Sequence, residues 1–262
     1  MNKTNGKGLR KFLETLREDR IKRLGVKSTL VSINGMNGSG KDFHQNLLED
    51  TLRKEGIRVN PFRATSLVRS DERVSYHDEC VLNKFEEPDR TLELYTRDVG
   101  EAWEKYIIPS AKSEGIIILD RDPYSSLVIQ SIVRNIKFNS EEAKKIAEKL
   151  FPYPIIPPHL SLITICDPQI AYERAKERYE ISRGSLEDIF DRYYITAYVM
   201  VNGKESSLED MQMWWLQNTK EKYGELDKVI PNGTIIYTGK RSDRLNPMIY
   251  KSVKKAHEEN RI

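Results

Sequence analysis

The chain has 262 residues, of which 38% are hydrophobic and 32% are charged, and the charges nearly cancel to a formal +3. This length is enough for one substantial hydrophobic core, and the small net charge argues against a protein that binds nucleic acid mainly through its phosphates. No apolar run approaches the ~20 residues needed to cross a bilayer, and the N-terminus lacks the apolar segment of a secretory signal. We therefore expect a soluble protein that binds neither membranes nor nucleic acid.

Two cysteines, Cys80 and Cys166, are far apart in the sequence and lack the spacing of a metal site. Such cysteines are typical of inert thiols in a reducing compartment, so we expect the protein to be cytoplasmic. The histidines are also scattered without metal spacing, and the sequence predicts no zinc or iron site.

The predicted elements alternate between helices and short apolar strands. Residues 9–24 place five apolar side chains near one stripe of a charged helix, which we expect to dock on the core. Most of the strand centres are rich in β-branched residues, as expected for parallel strands covered on both faces. The predicted strands are TLVSIN (29–34), IRVNPFRA (57–64), GIIILD (115–120), LSLITIC (160–166) and GTIIYTG (233–239). The proline-rich residues 151–158 predict a stiff connector into the fourth strand, and the whole pattern predicts an α/β fold.

A glycine-rich loop follows the first predicted strand, where Gly35, Gly40 and Lys41 satisfy the pattern G-x-x-x-x-G-K. In such a loop several backbone N–H groups surround one phosphate, the next helix adds a favourable dipole, and the lysine reaches the outer phosphates. A plain strand-to-helix turn is the alternative, but strand, spacing and helix together favour a phosphate site. The predicted nucleotide-binding residues of the loop are Gly35, Met36, Asn37, Gly38, Ser39, Gly40, Lys41 and Asp42.

Asp42 stands where such loops usually carry a Ser or Thr that helps to hold magnesium. In the first turn of a helix a carboxylate interacts favourably with the dipole and can bind Mg²⁺, yet it adds negative charge close to the donor's phosphates. We expect the attraction of a divalent ion to outweigh this repulsion, so that nucleotide binds clearly better with magnesium than without it.

Asp120 and Arg121 lie at the carboxyl end of the third predicted strand, at the sheet edge where ligands bind. Asp120 would hold a magnesium-bound water or orient the oxygen atom that accepts a phosphoryl group. Its alternative role is to cap the helix that follows. Together with the glycine-rich loop, this segment resembles the thymidylate kinase group of nucleoside monophosphate kinases, which carry an Asp-Arg at this point. The resemblance covers roughly residues 28–240.

The resemblance implies a three-layer α/β/α P-loop NTPase fold with a five-stranded parallel sheet and a helical lid. It places a P-loop kinase domain at residues 28–240, between an N-terminal helical extension (1–27) and a C-terminal helical tail (241–262). The implied reaction is phosphoryl transfer from ATP, with Mg²⁺, to a nucleoside monophosphate, and dTMP is the leading acceptor. The expected partners are nucleotides. The apolar patch at Trp214 and Trp215 is expected to face the core, although it could also form a contact in a homodimer.

The resemblance also implies roles for single side chains, because phosphoryl transfer requires cations that converge on the moving group. Implied for catalysis are Lys41, Asp120, Arg121 and Arg183, the last from the lid segment. Arg178, in the same segment, is implied to bind the donor. The side chains implied for the acceptor are Arg63, Arg97, Arg121, Tyr124 and Gln130. The implied metal ligands are Asp42 and Asp120. The alternatives are a solvated charged face for the lid segment and a surface ion pair for Arg63.

Departures from the family pattern leave other functions open. The family's Arg-Glu-Pro-Gly-Gly segment is replaced by NPFRATSLVRSDER, in which Arg63, Arg69 and Arg73 are candidate anion contacts. A deoxynucleoside kinase would place a carboxylate at the end of the second strand, where this chain has NPFRATS. A phosphomevalonate-type kinase also carries Gly-Lys-Asp-Phe in the loop, and a nucleotide-binding module without turnover would account for Asp42.

Overall fold

Five parallel strands form a central sheet. The computed structural model describes residues 5–181, 193–239 and 244–260. Each of the five lies within a predicted strand or extends it by one residue, so the strand predictions and the α/β fold are confirmed. Their order across the sheet is β2-β3-β1-β4-β5. The bounds are Thr29–Gly35 (β1), Val59–Phe62 (β2), Ile116–Asp120 (β3), Leu160–Ile165 (β4) and Gly233–Tyr237 (β5).

Helices follow or precede every strand of the described chain. The N-terminal half contains α1 (Asn5–Leu24), α2 (Lys41–Lys54), α3 (Asp71–Asn83), α4 (Pro88–Ala102), a π-helical turn at Trp103–Ile107, and α5 (Ile108–Ala111). The C-terminal half contains α6 (Pro123–Val133), α7 (Glu141–Leu150), α8 (Pro168–Ile181), α9 (Tyr193–Asn202), α10 (Leu208–Leu226) and α11 (Pro247–Asn260).

The central strands are buried on both faces, because successive side chains point to opposite sides of a sheet. In β1, Leu30 enters one hydrophobic core, whereas Val31 and Ile33 enter the other. The larger core lies under α1, α4, α6, α7 and α10, and the smaller core lies under α2 and α11. Helices therefore cover the sheet on both sides, which is the three-layer α/β/α arrangement.

The first helix docks on the larger core, as its apolar stripe predicts. Leu9 and Leu13 are fully buried there. The buried Arg20 also donates to the carbonyl oxygens of Phe151 at 2.8 Å and Pro152 at 3.0 Å, and to that of Ile155. One guanidinium group thus ties α1 to the proline-rich connector before β4, which gives the charged helix a structural role.

Candidate active site

The loop between β1 and α2 has backbone positions that only glycine can occupy. A Cβ atom on Gly35 would lie 2.2 Å from the carbonyl oxygen of Thr164 in β4. Gly38 has a φ of +75°, and a Cβ atom there would lie 2.5 Å from the carbonyl oxygen of Ala171 in α8. Residues with side chains rarely adopt such a backbone. The loop is therefore packed between β4 and α8 and leads directly into α2, the setting of a phosphate-binding loop.

Two carboxylates converge on the lysine of this loop. The Nζ atom of Lys41 lies 3.1 Å from Oδ1 of Asp120 and also contacts Oδ1 of Asp42. The second carboxylate oxygen of Asp120 lies 3.1 Å from Nε of Arg63. The Asp42 side chain is more than half exposed, whereas Lys41 and Asp120 are buried. The end of β3 and the start of α2 therefore share one charge cluster.

Arg121 has a left-handed backbone, with a φ of +63°. A residue other than glycine in this region costs on the order of 1 kcal/mol, and such strain is concentrated at functional sites. Its guanidinium group donates to the carbonyl oxygen of Gly35 at 3.1 Å and to Oδ1 of Asn37 at 2.9 Å. The backbone at Arg121 thus directs this cation onto the glycine-rich loop.

Three more arginines follow β2. Burial, together with the charges of Arg73 and Arg63, lowers the pKa of the Arg69 guanidinium. The charges of Arg73 and Arg121 also act on the buried Tyr95 hydroxyl, whose pKa burial raises to about 12. All four arginines line one cavity, so an anionic ligand there would be close to several cations.

One cavity of about 760 Å³ brings these groups together. Its wall includes the glycine-rich loop from Gly35 to Asp42 and the four arginines that carry the local positive charge. Aromatic side chains cover another part of the wall: Tyr76, His77, Tyr95, Tyr193, Tyr194, Trp215 and Tyr223. This volume lies within the range of cavities that hold small organic ligands.

Two buried polar side chains also line the cavity. The Glu86 carboxylate accepts hydrogen bonds from the Tyr193 hydroxyl at 2.5 Å and the Thr91 hydroxyl at 3.0 Å, and burial raises its pKa. In Gln130, Oε1 accepts from Nε of Arg134 at 2.8 Å. Among the described residues, Nε2 of Gln130 has no hydrogen-bond partner. The wall thus offers a fixed acceptor and an amide donor to a ligand.

The glycine-rich loop and the Asp-Arg strand both lie within a match to a known family. Residues 33–208 match the model of the thymidylate kinase family, which is more than half of the chain. The chain belongs to the thymidylate kinase family. It is therefore an enzyme of the nucleoside monophosphate kinase class, and the recognition made from the sequence is confirmed.

Members of the thymidylate kinase family from an archaeon and two bacteria are similar to this chain at low identity. The probable thymidylate kinase of Archaeoglobus fulgidus is 24% identical over 153 residues, which is 58% of this chain and 72% of the relative. The thymidylate kinases of Thermoanaerobacter sp. X514 and Thermoanaerobacter pseudethanolicus are 26% identical over the same shares of each chain. Among the described residues, each helix is too short or too polar to span a lipid bilayer.

Arg97, which the resemblance assigns to the acceptor, lies beside the start of α3. It is absent from the described wall of the cavity. Its guanidinium group donates to Glu72 at 2.8 Å and to the Ser70 hydroxyl at 2.8 Å, and its side chain is about half exposed. Adjacent side chains of a helix point in different directions. Because Asp98 is buried, the preceding Arg97 lies on a more exposed side of α4.

Tyr124, which the resemblance also assigns to the acceptor, lies inside the protein. Tyr124 is fully buried in the larger core, where its ring packs on Phe151 with 5.1 Å between centroids. Asp122, rather than Asp120, caps α6, because its Oδ1 accepts from the Tyr124 N–H at 2.8 Å. The fully buried Asp122 has its pKa raised to about 6 by burial. The cap and Pro123 turn Tyr124 away from the cavity.

The lid arginines fall largely outside the described part of the chain. Arg183 is among the residues that are not described, and the Arg178 side chain is not described either. Arg174, one helical turn earlier, donates to the carbonyl oxygens of Gly38 at 2.8 Å and Gly239 at 2.5 Å. This arginine joins α8 to the glycine-rich loop and to the segment after β5.

Sequence reasoning missed two residues of this region, Glu86 and Asp98. Neither belongs to a motif, and each meets its partners only when α3, α4 and α9 pack together. One feature of the sequence could have identified Asp98. It is a charged residue among the apolar residues Leu94, Val99 and Ala102, which form part of the buried side of α4. A buried carboxylate of this kind requires a partner.

Proposed function

We propose that this kinase transfers the γ-phosphoryl group of ATP, with Mg²⁺, to dTMP. The observation that carries the proposal is the single cavity that contains both a glycine-rich phosphate loop and four arginines. One phosphate loop serves the donor. A separate group of cations suits an acceptor that already bears a phosphate.

The charge at the end of β2 supports a monophosphate rather than a nucleoside as acceptor. Residues 63–66, which follow β2, are Arg-Ala-Thr-Ser and contain no carboxylate. A nucleoside kinase would use a carboxylate there to take the proton of the acceptor hydroxyl. Arg63 and Arg121, which both line the cavity, are instead suited to hold an acceptor phosphate near the donor.

The polar wall of the cavity supports a nucleobase such as thymine. Thymine presents N–H as a donor and carbonyl oxygens as acceptors. The Glu86 carboxylate can accept a hydrogen bond from the thymine N–H, and the amide nitrogen of Gln130 can donate one to a thymine carbonyl oxygen. The names of the related thymidylate kinases agree with this choice of base.

The carboxylates at the start of α2 and the end of β3 fit a magnesium ion. Asp42 and Asp120 both contact Lys41, so their oxygens converge beside the loop, and Mg²⁺ is commonly held by one or two carboxylates together with substrate phosphates. Bound there, the ion would neutralise charge that develops on the phosphates. Lys41 would act on the β- and γ-phosphates, Arg121 on the transferred group, and Arg183 would close over it from the lid segment.

A turnover assay tests this function. ADP formation from ATP and Mg²⁺ is measured with dTMP, dUMP, dCMP, dAMP, dGMP, thymidine and phosphomevalonate in separate reactions. We expect the highest kcat/KM with dTMP. Turnover of thymidine without dTMP would identify a nucleoside kinase, preference for phosphomevalonate would identify a metabolite kinase, and ATP binding without any turnover would identify a regulatory module.

Replacing Asp42 by Ser should improve ATP binding in the absence of magnesium by about three- to tenfold, because the change removes a negative charge beside Lys41. Magnesium-dependent turnover should stay measurable. Isothermal titration of ATP into both proteins, with Mg²⁺ and with a chelator, checks this. Asp50→Ser, an exposed position on the same helix, is the matched control. Equal wild-type affinity with and without Mg²⁺ would contradict a metal role for Asp42.

A further inference from the structure

Asp98 of α4 is a buried carboxylate that holds the start of α3. It is 1% exposed, and its Oδ2 accepts from the Ser70 N–H at 3.0 Å and the Ser70 hydroxyl at 3.2 Å. The same oxygen lies 3.6 Å from NH1 of Arg73. Ser70 in turn caps α3 by accepting from the Arg73 N–H at 3.3 Å. A single carboxylate therefore fixes both the backbone and the side chain of Arg73.

Arg73 is held on further sides as well. Its NH2 group donates to the carbonyl oxygen of Thr65 at 3.2 Å, and its Cζ atom lies 5.1 Å from the centre of the Tyr95 ring. Thr65, Arg73 and Tyr95 all line the cavity. NH1 of Arg73 is buried and faces Asp98, but 21% of the side chain is exposed. A guanidinium group held on several sides beside a cavity is a preorganised site for an anion.

We propose that Arg73 binds the phosphate of the acceptor and that Asp98 is the residue that positions it. This inference rests on the proposed function, because it assigns the acceptor's phosphate to one further cation of the same cavity. Arg73 lines the same cavity as Arg63 and Arg69. Arg63 and Arg73 are each paired with a buried carboxylate, but Arg73 is less exposed and is also held by an aromatic ring.

A purely structural role is the competing explanation, since Asp98 and Arg73 also join α3 to α4. The two roles differ in which ligand they affect. A contact to phosphate concerns dTMP and leaves thymidine, which has no phosphate, unaffected. A structural brace for the cavity affects both ligands, because it changes the shape of the nucleoside site.

The experiment compares the wild type with Arg73→Gln, Arg73→Lys and Asp98→Asn. We measure kcat, the KM values for dTMP and ATP, and the inhibition constant of thymidine. For Arg73→Gln we expect the KM for dTMP to rise about ten- to a hundredfold, as for a lost hydrogen bond to a charged group. The KM for ATP and the inhibition constant of thymidine should change less than about twofold, which corresponds to about 0.4 kcal/mol of binding free energy. Arg73→Lys, which keeps the charge, should recover part of the loss.

Asp98→Asn should raise the KM for dTMP in the same selective way, by about three- to tenfold, because Arg73 loses its charged anchor. In the Arg73→Gln background it should add nothing further to that KM, since both changes act through one side chain. Arg90→Gln is the matched control, because Arg90 is paired with Glu72 and Glu93 and does not line the described cavity.

Two results would overturn the inference: equally weakened binding of dTMP and thymidine, or an unchanged KM for dTMP in Arg73→Gln. In either case, turnover of dTMP by the wild type would still support the proposed function. Absence of turnover with every monophosphate overturns the proposed function and the inference with it. If Asp98→Asn fails to fold, the two Arg73 variants and the thymidine comparison still decide between the roles.

Discussion

Replacing Lys41 by Met lowers kcat for phosphoryl transfer by about 100- to 1000-fold, the loss expected when one preorganised group that stabilises the transition state is removed. The ammonium group lies at the start of α2 between Asp42 and Asp120, where it can reach the outer phosphates of the donor. Methionine keeps the unbranched shape and most of the length of the side chain, so the main change is the loss of the ammonium group. A coupled assay of ADP formation at saturating substrates measures the effect.

The fold should survive this substitution. Asp120 keeps its contact with Arg63, so its carboxylate stays paired, and a loss of about 1 kcal/mol corresponds to a melting temperature lower by at most about 4 °C. Lys54→Met, at an exposed position on the same helix, is the matched control and should retain full activity. Near-normal turnover by Lys41→Met would refute the assignment of the loop to the donor phosphates.

The fold could be predicted from the sequence because its strands are locally distinctive. Residues 116–119, Ile-Ile-Ile-Leu, are all apolar and mostly β-branched, which is typical of strands buried on both faces. The glycine-rich loop could be predicted because its residues are adjacent in the chain. Asp120 and Arg121 could be placed beside the loop because parallel strands present their carboxyl ends at one edge of a sheet.

The rest of the site depends on packing that the sequence does not encode locally. A step of one residue turns a helix by about 100°, so the side of α4 that faces the cavity cannot be fixed until its neighbours are known. The resemblance assigns Arg97 to the acceptor, and the structure pairs its side chain with Glu72, whereas Arg73 lines the cavity. The division into residues 1–27, 28–240 and 241–262, the role of Arg183 and a homodimer stay predictions.

Replacing Asp120 by Asn should separate nucleotide binding from turnover. Its carboxylate is the shared counter-charge of Lys41 and Arg63, with 3.1 Å to each nitrogen. Without this charge, the two cations attract an anion more strongly, so the affinity for ATP in the presence of a chelator should rise by about three- to tenfold. With magnesium, kcat should fall by about 100-fold, because an oxygen suited to the ion or to its bound water has lost its charge.

Titration calorimetry of ATP with Mg²⁺ and with a chelator gives the two affinities, and the coupled assay gives kcat. Asp89→Asn is the control, because Asp89 is an exposed aspartate that is likewise paired with two cations, Arg134 and Lys149, and does not line the described cavity. A fall in both affinity and kcat would mean that Asp120 only braces Lys41 and Arg63. A fall in kcat together with tighter magnesium-free binding is the result that an ion site formed by Asp120 and Asp42 requires, since the same charge that serves the metal repels the bare nucleotide.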